Sequence, residues 1–332
     1  MSIIEAMMKP ETYDEEVRGI KLIETHISWV FLTGKHAYKI KKPVNFGFLD
    51  YTTLEKRKHF CEQEVILNRR FTKDMYIGAF PIAKLDSTFK VNGTGEIVEY
   101  LVKMNQMPQD ALLSNLLDKN KVDRKIIDEI SKVVADFHSK AETGGEINKG
   151  GSIETIRFNW DENFQQTRAF VDVAMSKHTF DSINSKVNSF ISGNQRLLEK
   201  RISDGRIRDC HGDLHSRSIF VTDRIFIFDC IEFNTRFRYS DVAADVAFLS
   251  MDLDYHHRQD LSKYFVDRYL FYSSDEEITR LLPFYECYRA YVRGKVISFR
   301  LNEKEISSEE KTSVRRTAST YFDLSLRYAE QL

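Results

Sequence analysis

Residues 209–232 read DCHGDLHSRSIFVTDRIFIFDCIE, and the fold turns on how this stretch is placed. His211-Gly212-Asp213-Leu214-His215 has neither a helical nor a strand period and reads as a loop. Ile219–Val221 and Ile225–Phe228 are short β-branched and aromatic runs joined through Thr222–Arg224, which predicts a hairpin. Antiparallel pairing would set Ser218 and Asp229 face to face at its open end and return Asp229 to the neighbourhood of Asp213. Two carboxylates from separate loops, converging beside a hydroxyl, suit phosphoryl transfer. One can accept a proton from an attacking hydroxyl, and the other can hold Mg²⁺, which prefers hard oxygen ligands.

Working outward, the first hundred residues predict a small β-rich unit with one helix. Trp29–Thr33 and His36–Lys42 flank Gly34–Lys35 as a hairpin. Thr52-Thr-Leu-Glu55 has the pattern of a capping box, and the helix it opens should run to about Phe71, with Leu54, Cys61 and Val65 on one face. Thr88–Val91 and Glu96–Val102 flank Asn92-Gly93-Thr94-Gly95 and predict a second hairpin, because Asn-Gly supplies the positive φ of a tight turn. The aperiodic MNQMPQD at 104–110 reads as a connector. Beyond it the chain is mainly helical. Val122, Ile126, Ile130, Val133 and Phe137 mark one helix face, and amphipathic stretches cover about 155–200, 240–272, 277–302 and 307–331. The glycine-rich 144–151 reads as a flexible loop.

Composition narrows the class. The 332 residues carry 49 basic and 50 acidic side chains for a net charge of −1, with 42% hydrophobic and 30% charged residues. That balance lacks the electrostatic footprint of a nucleic-acid or membrane-surface partner, so neither is expected. Cys61, Cys210, Cys230 and Cys287 show no zinc spacing and no disulfide framework, which fits a reducing, cytoplasmic setting. MSIIEAMMKPETYDEEV is broken by acids and a proline and predicts no signal peptide. No Gly-x-x-x-x-Gly-Lys-Ser/Thr and no helix-opening Gly-x-Gly-x-x-Gly occurs, so neither a P-loop nor a dinucleotide fold has support.

HGDLH followed by a hairpin and an Asp resembles the signature of the aminoglycoside phosphotransferase and choline kinase-like superfamily. The strings ETHISWVFLTGKHAYKIKKPVNFGFLDY, CHGDLH and FDCIEFNTRFRYSDVAADVAFL resemble a bacterial and archaeal branch of it, over nearly the whole chain from about Ile20 to beyond Asp254. The resemblance implies an α+β, two-lobed protein-kinase-like fold. Residues 1–103 would form the small N-lobe, 104–110 the hinge, and 111–332 a helical C-lobe with the catalytic loop. It implies Asp213 as catalytic base, Asp229 as a Mg²⁺ ligand and Lys39 as the lysine on the nucleotide phosphates. Lys41 is the rival on the same strand face. Glu64 would pair with Lys39, with Glu62 as the alternative, and Met104 and Gln106 fall where the connector meets the adenine. His211 belongs to the catalytic loop. Asp241 matches the Asp that braces that loop from a helix N-terminus, and Asp245, one turn on, competes for the role.

One position departs from the pattern: Ser218 stands where the family places an Asn metal ligand. A hydroxyl is shorter than an amide carbonyl, which predicts a weakened metal site and reduced activity. The expectation is an ATP- and Mg²⁺-dependent kinase that phosphorylates a hydroxyl of a small molecule. The alternative is a nucleotide-binding pseudokinase or regulatory module. Glu232, Arg236 and Arg238 could meet an anionic substrate or form salt bridges. Trp160, Phe164 and Phe170 could line a pocket, but their spacing favours core packing.

Overall fold

The computed structural model describes residues 2–303 and 306–332. They form two compact units, one of Met1–Leu116 with Arg217–Thr235, the other of Leu117–Ser216 with Arg236–Leu332. Together they make a mixed fold with an antiparallel sheet and a large helical region.

The first unit is built on a sheet in the order β1 (Lys21–Glu24), β2 (Ser28–Leu32), β3 (His36–Lys41), β6 (Glu96–Asn105), β4 (Tyr76–Leu85), β5 (Thr88–Val91). Every neighbouring pair is antiparallel. A short helix α1 (Ile3–Met7) covers one face, where Ala6, Met7, Phe31, Tyr38, Ile40 and Leu101 are buried together. On the other face α2 (Leu54–Asn68) contributes Cys61 and Val65 to a cluster with Val102, Met104, Phe220 and Phe226. The two faces follow from the strand period, which sends Tyr38 and Ile40 one way and Lys39 and Lys41 the other.

Three local expectations are corrected. The helix cap is Thr53, whose hydroxyl accepts from Lys56 N–H, because Thr52 is engaged by Asp50 Oδ1 through both its N–H and its hydroxyl. The helix also ends at Asn68, short of Phe71. Thr88–Val91 does not pair with Glu96–Val102; it pairs with β4 through a turn at Asp86–Ser87, where Asp86 has φ +52°. Asn92–Gly95 instead carries the chain past β4 to β6, which pairs with the other edge of β4. Gly95 is required there, since its φ is +124° and a Cβ would run into the Lys84 carbonyl. Strand β4 escaped the sequence pattern because Gly78 and Pro81 argue against a strand interior. The ladder absorbs them with a register shift between Tyr76 and Gly78 and by ending β5 at Val91, opposite Ile82 and one residue short of Pro81.

Helix α3 (Leu113–Asp118) leads into the second unit. Its helices are α4 (Arg124–Lys140), α5 (Ile153–Thr167), α6 (Lys177–Gly193), α7 (Gln195–Ser203), α8 (Thr235–Arg238), α9 (Val242–Tyr255), α10 (Gln259–Ser273), α11 (Ile278–Phe299) and α12 (Ser308–Ala329). The buried face of α4 is Ile127, Ile130, Val134, Phe137 and His138, rotated from the predicted one; Ile126 and Val133 are only half-buried. A ladder of β7 (Ile207–Asp209) and β10 (Tyr239–Asp241) was not anticipated, being three residues per strand. Residues 144–151 are not a free loop. Gly145–Gly151 is a 3₁₀ segment, and Gly150 lies so close to the Tyr239 carbonyl that no side chain would fit. Trp160, Phe164 and Phe170 are buried in the helical core. Among the described residues no helix is long and apolar enough to cross a membrane.

Residues 209–232 supply the hairpin β8 (Ile219–Val221) and β9 (Ile225–Ile227), which belongs to the first unit. Its register puts Ser218 opposite Phe228, whose N–H donates to the Ser218 carbonyl at 3.0 Å. Asp229, the residue predicted to face Ser218, therefore lies one residue beyond the position that does.

Candidate active site

In the first unit, strand alternation places Lys39 and Lys41 on the face that α2 covers. Lys39 Nζ donates to Glu64 Oε1 at 2.9 Å and to Asp229 Oδ1 at 2.6 Å. Lys41 Nζ donates to Glu64 Oε2 at 2.7 Å and to Glu232, and Glu232 also accepts from the Tyr51 hydroxyl at 2.6 Å. The two glutamates of Cys61-Glu-Gln-Glu64 thus separate clearly. Glu64 is fully buried between both lysines, whereas Glu62 is half-exposed with Lys58 Nζ 4.0 Å away.

The charges sustain one another. Burial by itself would lower the Lys39 ammonium, but Asp229 and Glu64 outweigh it and raise Lys39 well above its ordinary value. Burial pushes Glu64 up, and Lys39 and Lys41 overcome that push and hold it down at about 2. Two lysines face three carboxylates, Glu64, Asp229 and Glu232, and only Asp229 is substantially open, its side chain 53% exposed. Asp229 also has φ +63°, a conformation that non-glycine residues seldom adopt, and its N–H donates to the Tyr76 hydroxyl at 3.2 Å. Ser218 is buried and closes the short 3₁₀ turn ahead of the hairpin.

The two connector residues differ in placement. Met104 is part of the buried cluster under α2, paired with Ala37 across the sheet. Gln106 closes on the β2–β3 turn: its Oε1 accepts from Gly34 N–H at 2.9 Å and its N–H donates to Lys35 O at 3.0 Å.

In the second unit the loop at 211–215 is held by Asp245. Its Oδ2 accepts from His211 N–H at 2.7 Å and its Oδ1 from Gly212 N–H at 2.9 Å, while His138 Nε2 lies 3.3 Å from Oδ2. Arg289 donates to the Gly212 carbonyl at 2.9 Å. Asp241, the first choice for this brace, is committed elsewhere. It caps α9 through Ala243 N–H and takes Arg201 at 2.8 and 2.7 Å, and Arg201 also binds Asp275. Asp213 N–H donates to His211 Nδ1 at 3.2 Å, and its carboxylate is 3.4 Å from His215 Nε2 and part-exposed. Burial opposes ionisation of Asp213, yet His215, Arg293 and His211 together hold it below the usual carboxylate range.

Residues 232–238 resolve into internal pairs. Glu232 is buried on Lys41 and Tyr51, Arg236 binds Glu162 at 2.8 Å and Asn159 at 3.1 Å, and Arg238 binds Asp209. The roles of Tyr51, Tyr76, His138 and Arg289 had no signal in the sequence. That of Glu232 had only a faint one, its position three residues after Asp229. All four cysteines are buried and unpaired with one another.

A sheet covered on one face by α2, a lysine–glutamate pair between the two, and a helical unit carrying a His-Gly-Asp loop define a kinase-like fold. Solved structures agree. A choline/ethanolamine kinase family protein from Mesorhizobium loti matches with a TM-score of 0.50 at 10% identity, covering 95% of this chain and 93% of its own. An ethanolamine kinase from Plasmodium vivax matches with a TM-score of 0.52 at 14% identity, covering 92% and 81%. The chain therefore shares the kinase-like fold of these choline and ethanolamine kinase structures. By sequence it is 34% identical over 285 residues to an uncharacterized protein of Mycobacterium tuberculosis, a match that covers 86% of this chain. The matched stretch is 56% of that relative's length, so the chain spans little more than half of the curated relatives it resembles. No family model matches it.

Proposed function

We propose that the chain is a phosphotransferase that binds Mg·ATP and moves the γ-phosphate to a hydroxyl of a small molecule. The observation that carries this reading is Lys39 holding a fully buried glutamate and an open aspartate at once. Glu64 fixes the ammonium, and Asp229 is the partner that a nucleotide can replace. Lys39 would then contact the nucleotide phosphates, and Asp229 would be free to serve as a ligand. The surplus of one carboxylate over the lysines, with the open one in a left-handed conformation, fits a hard divalent cation. Magnesium bound there would neutralise phosphate charge as it develops.

Asp213 is the base in this reading. As the acceptor oxygen forms its bond to the γ-phosphorus, the bond from phosphorus to the bridging oxygen breaks, ADP leaves, and the hydroxyl proton passes to Asp213. A carboxylate held below its usual range is a weak base, which suits a loose transition state in which the proton moves late. Asp245 and Arg289 would keep the loop in place. Met104 and Gln106, at the end of β6, would lie along the adenine.

The test is ADP formation with Mg²⁺ and a panel of small alcohols. Wild type is expected to turn over, and Asp213→Asn to bind Mg·ATP without transfer. Equal turnover by the variant would refute the base. A nucleotide-binding module without turnover is the second reading, favoured by Ser218 in a family Asn position. Thermal stabilisation by Mg·ATP without ADP release, together with gain of turnover in Ser218→Asn, would select it.

A further inference from the structure

The helical unit carries two arginines one turn apart on α11, and they are used differently. Arg289 is spent on structure, donating to Gly212 O at 2.9 Å and Ala244 O at 3.1 Å and lying 3.9 Å from Asp245. Arg293, on the same side of the helix, is half-buried, with its guanidinium 5.7 Å from the centre of the Tyr321 ring. That ring is stacked on Tyr255 at 4.2 Å, so the platform beneath the guanidinium is fixed. Among the described residues no carboxylate lies within 4.0 Å of Arg293. Tyr321 is its strongest favourable neighbour, through its hydroxyl as well as its ring; Asp213 and Asp252 follow only through longer-range charge, and Asp252 is already taken by Ser216 N–H at 2.8 Å. A partly desolvated guanidinium, rigidly backed, one helical turn from the arginine that holds the Asp213 loop and without an ion-pair partner, is a preformed anion receptor.

We infer that Arg293 binds an anionic group of the phosphate acceptor, so that the substrate is a negatively charged alcohol, a hydroxycarboxylate or a phosphorylated alcohol. This rests on the reading of Asp213 as the residue that receives the acceptor's proton. A cationic alcohol would meet Arg293 as a like charge beside the base. An anionic one would gain a forked, charge-assisted contact that also orients its hydroxyl toward Asp213. The acceptor class thus differs from the choline and ethanolamine for which the two structural neighbours are named.

The experiment measures binding to the full chain saturated with Mg²⁺ and the non-hydrolysable analogue AMP-PNP, which keeps the probes off the nucleotide-phosphate region. Malonate, inorganic phosphate and choline are titrated by calorimetry against wild type, Arg293→Gln and Arg293→Lys. Malonate or phosphate is expected to bind wild type and to lose at least about tenfold in Arg293→Gln, the equivalent of one charge-assisted hydrogen bond. Arg293→Lys should recover part of the affinity and shows that the site remains folded. Preference for malonate identifies a hydroxycarboxylate, and preference for phosphate a phosphorylated alcohol. Anion binding that is absent, or unchanged in Arg293→Gln, overturns the inference, as does choline binding in place of the anions. The Asp213→Asn turnover result is independent, so loss of one conclusion is distinguishable from loss of the other.

Discussion

Lys39 donates to Asp229 across 190 residues of sequence, at 2.6 Å, while its other carboxylate partner, Glu64, is entirely buried. On the proposed reading this contrast makes the pair a contact that nucleotide can exchange on a fixed support. Lys39→Met should therefore abolish turnover by about 100-fold or more, the scale seen when one donor to a developing charge is removed. Glu64 keeps Lys41 in that variant, so the melting temperature should move much less than activity. Steady-state ADP release and thermal melting on the same protein check both halves.

Lys41 should behave in the opposite way. It is 1% exposed and neutralises both Glu64 and Glu232. Among the described residues Lys41→Met leaves Glu232 with only the Tyr51 hydroxyl, and it is expected to destabilise by about 3–5 kcal/mol, the usual cost of breaking a buried pair from one side. Denaturant unfolding measures this. A loss below 1 kcal/mol would mean that the cluster is not held by charge.

Asp245→Asn should damage the loop more than a loss of charge alone would. The His211 and Gly212 N–H groups point at different carboxylate oxygens, and in the amide one of those atoms becomes a nitrogen that faces a donor. The cost is about 1–3 kcal/mol for the unsatisfied group, with turnover falling through misplacement of Asp213. Asp241→Asn should lower stability through Arg201 and leave amide exchange at His211 and Gly212 slow. Hydrogen exchange at those two amides separates the variants.

The difference between these two aspartates shows what was legible. Spacing and motif located the hairpin, the β2–β3 pair, the capped helix and the loop residues, because each depends on local pattern. The brace depends on which carboxylate a helix turns inward. Asp241 and Asp245 are one turn apart, and the choice is made by Arg201, which arrives from α7 and takes Asp241. The same holds for β5, where Asn-Gly correctly marked a left-handed turn but could not reveal that β4, disguised by Gly78 and Pro81, would lie between the two predicted partners. Glu232 illustrates the limit at the site itself: three residues beyond Asp229 it reads as a surface charge, and only Lys41 and Tyr51 make it internal.

Glu286 supplies a pH test of the helical unit. Burial pushes its carboxyl from an ordinary 4.5 to about 8; the Ser250 hydroxyl, donating at 2.6 Å, only partly opposes this, and Asp254 adds to it. Between those two values the folded chain retains a proton that the unfolded chain has released. Stability contributed by Glu286 is therefore complete below pH 4.5 and is lost as pH rises through 8. Glu286→Gln mimics the protonated form and should remove this dependence. Urea unfolding at pH 5 and pH 8 is expected to show wild type losing on the order of 1–4 kcal/mol more than the variant over that interval. Parallel pH profiles for the two proteins would show that Glu286 ionises without cost in the folded state.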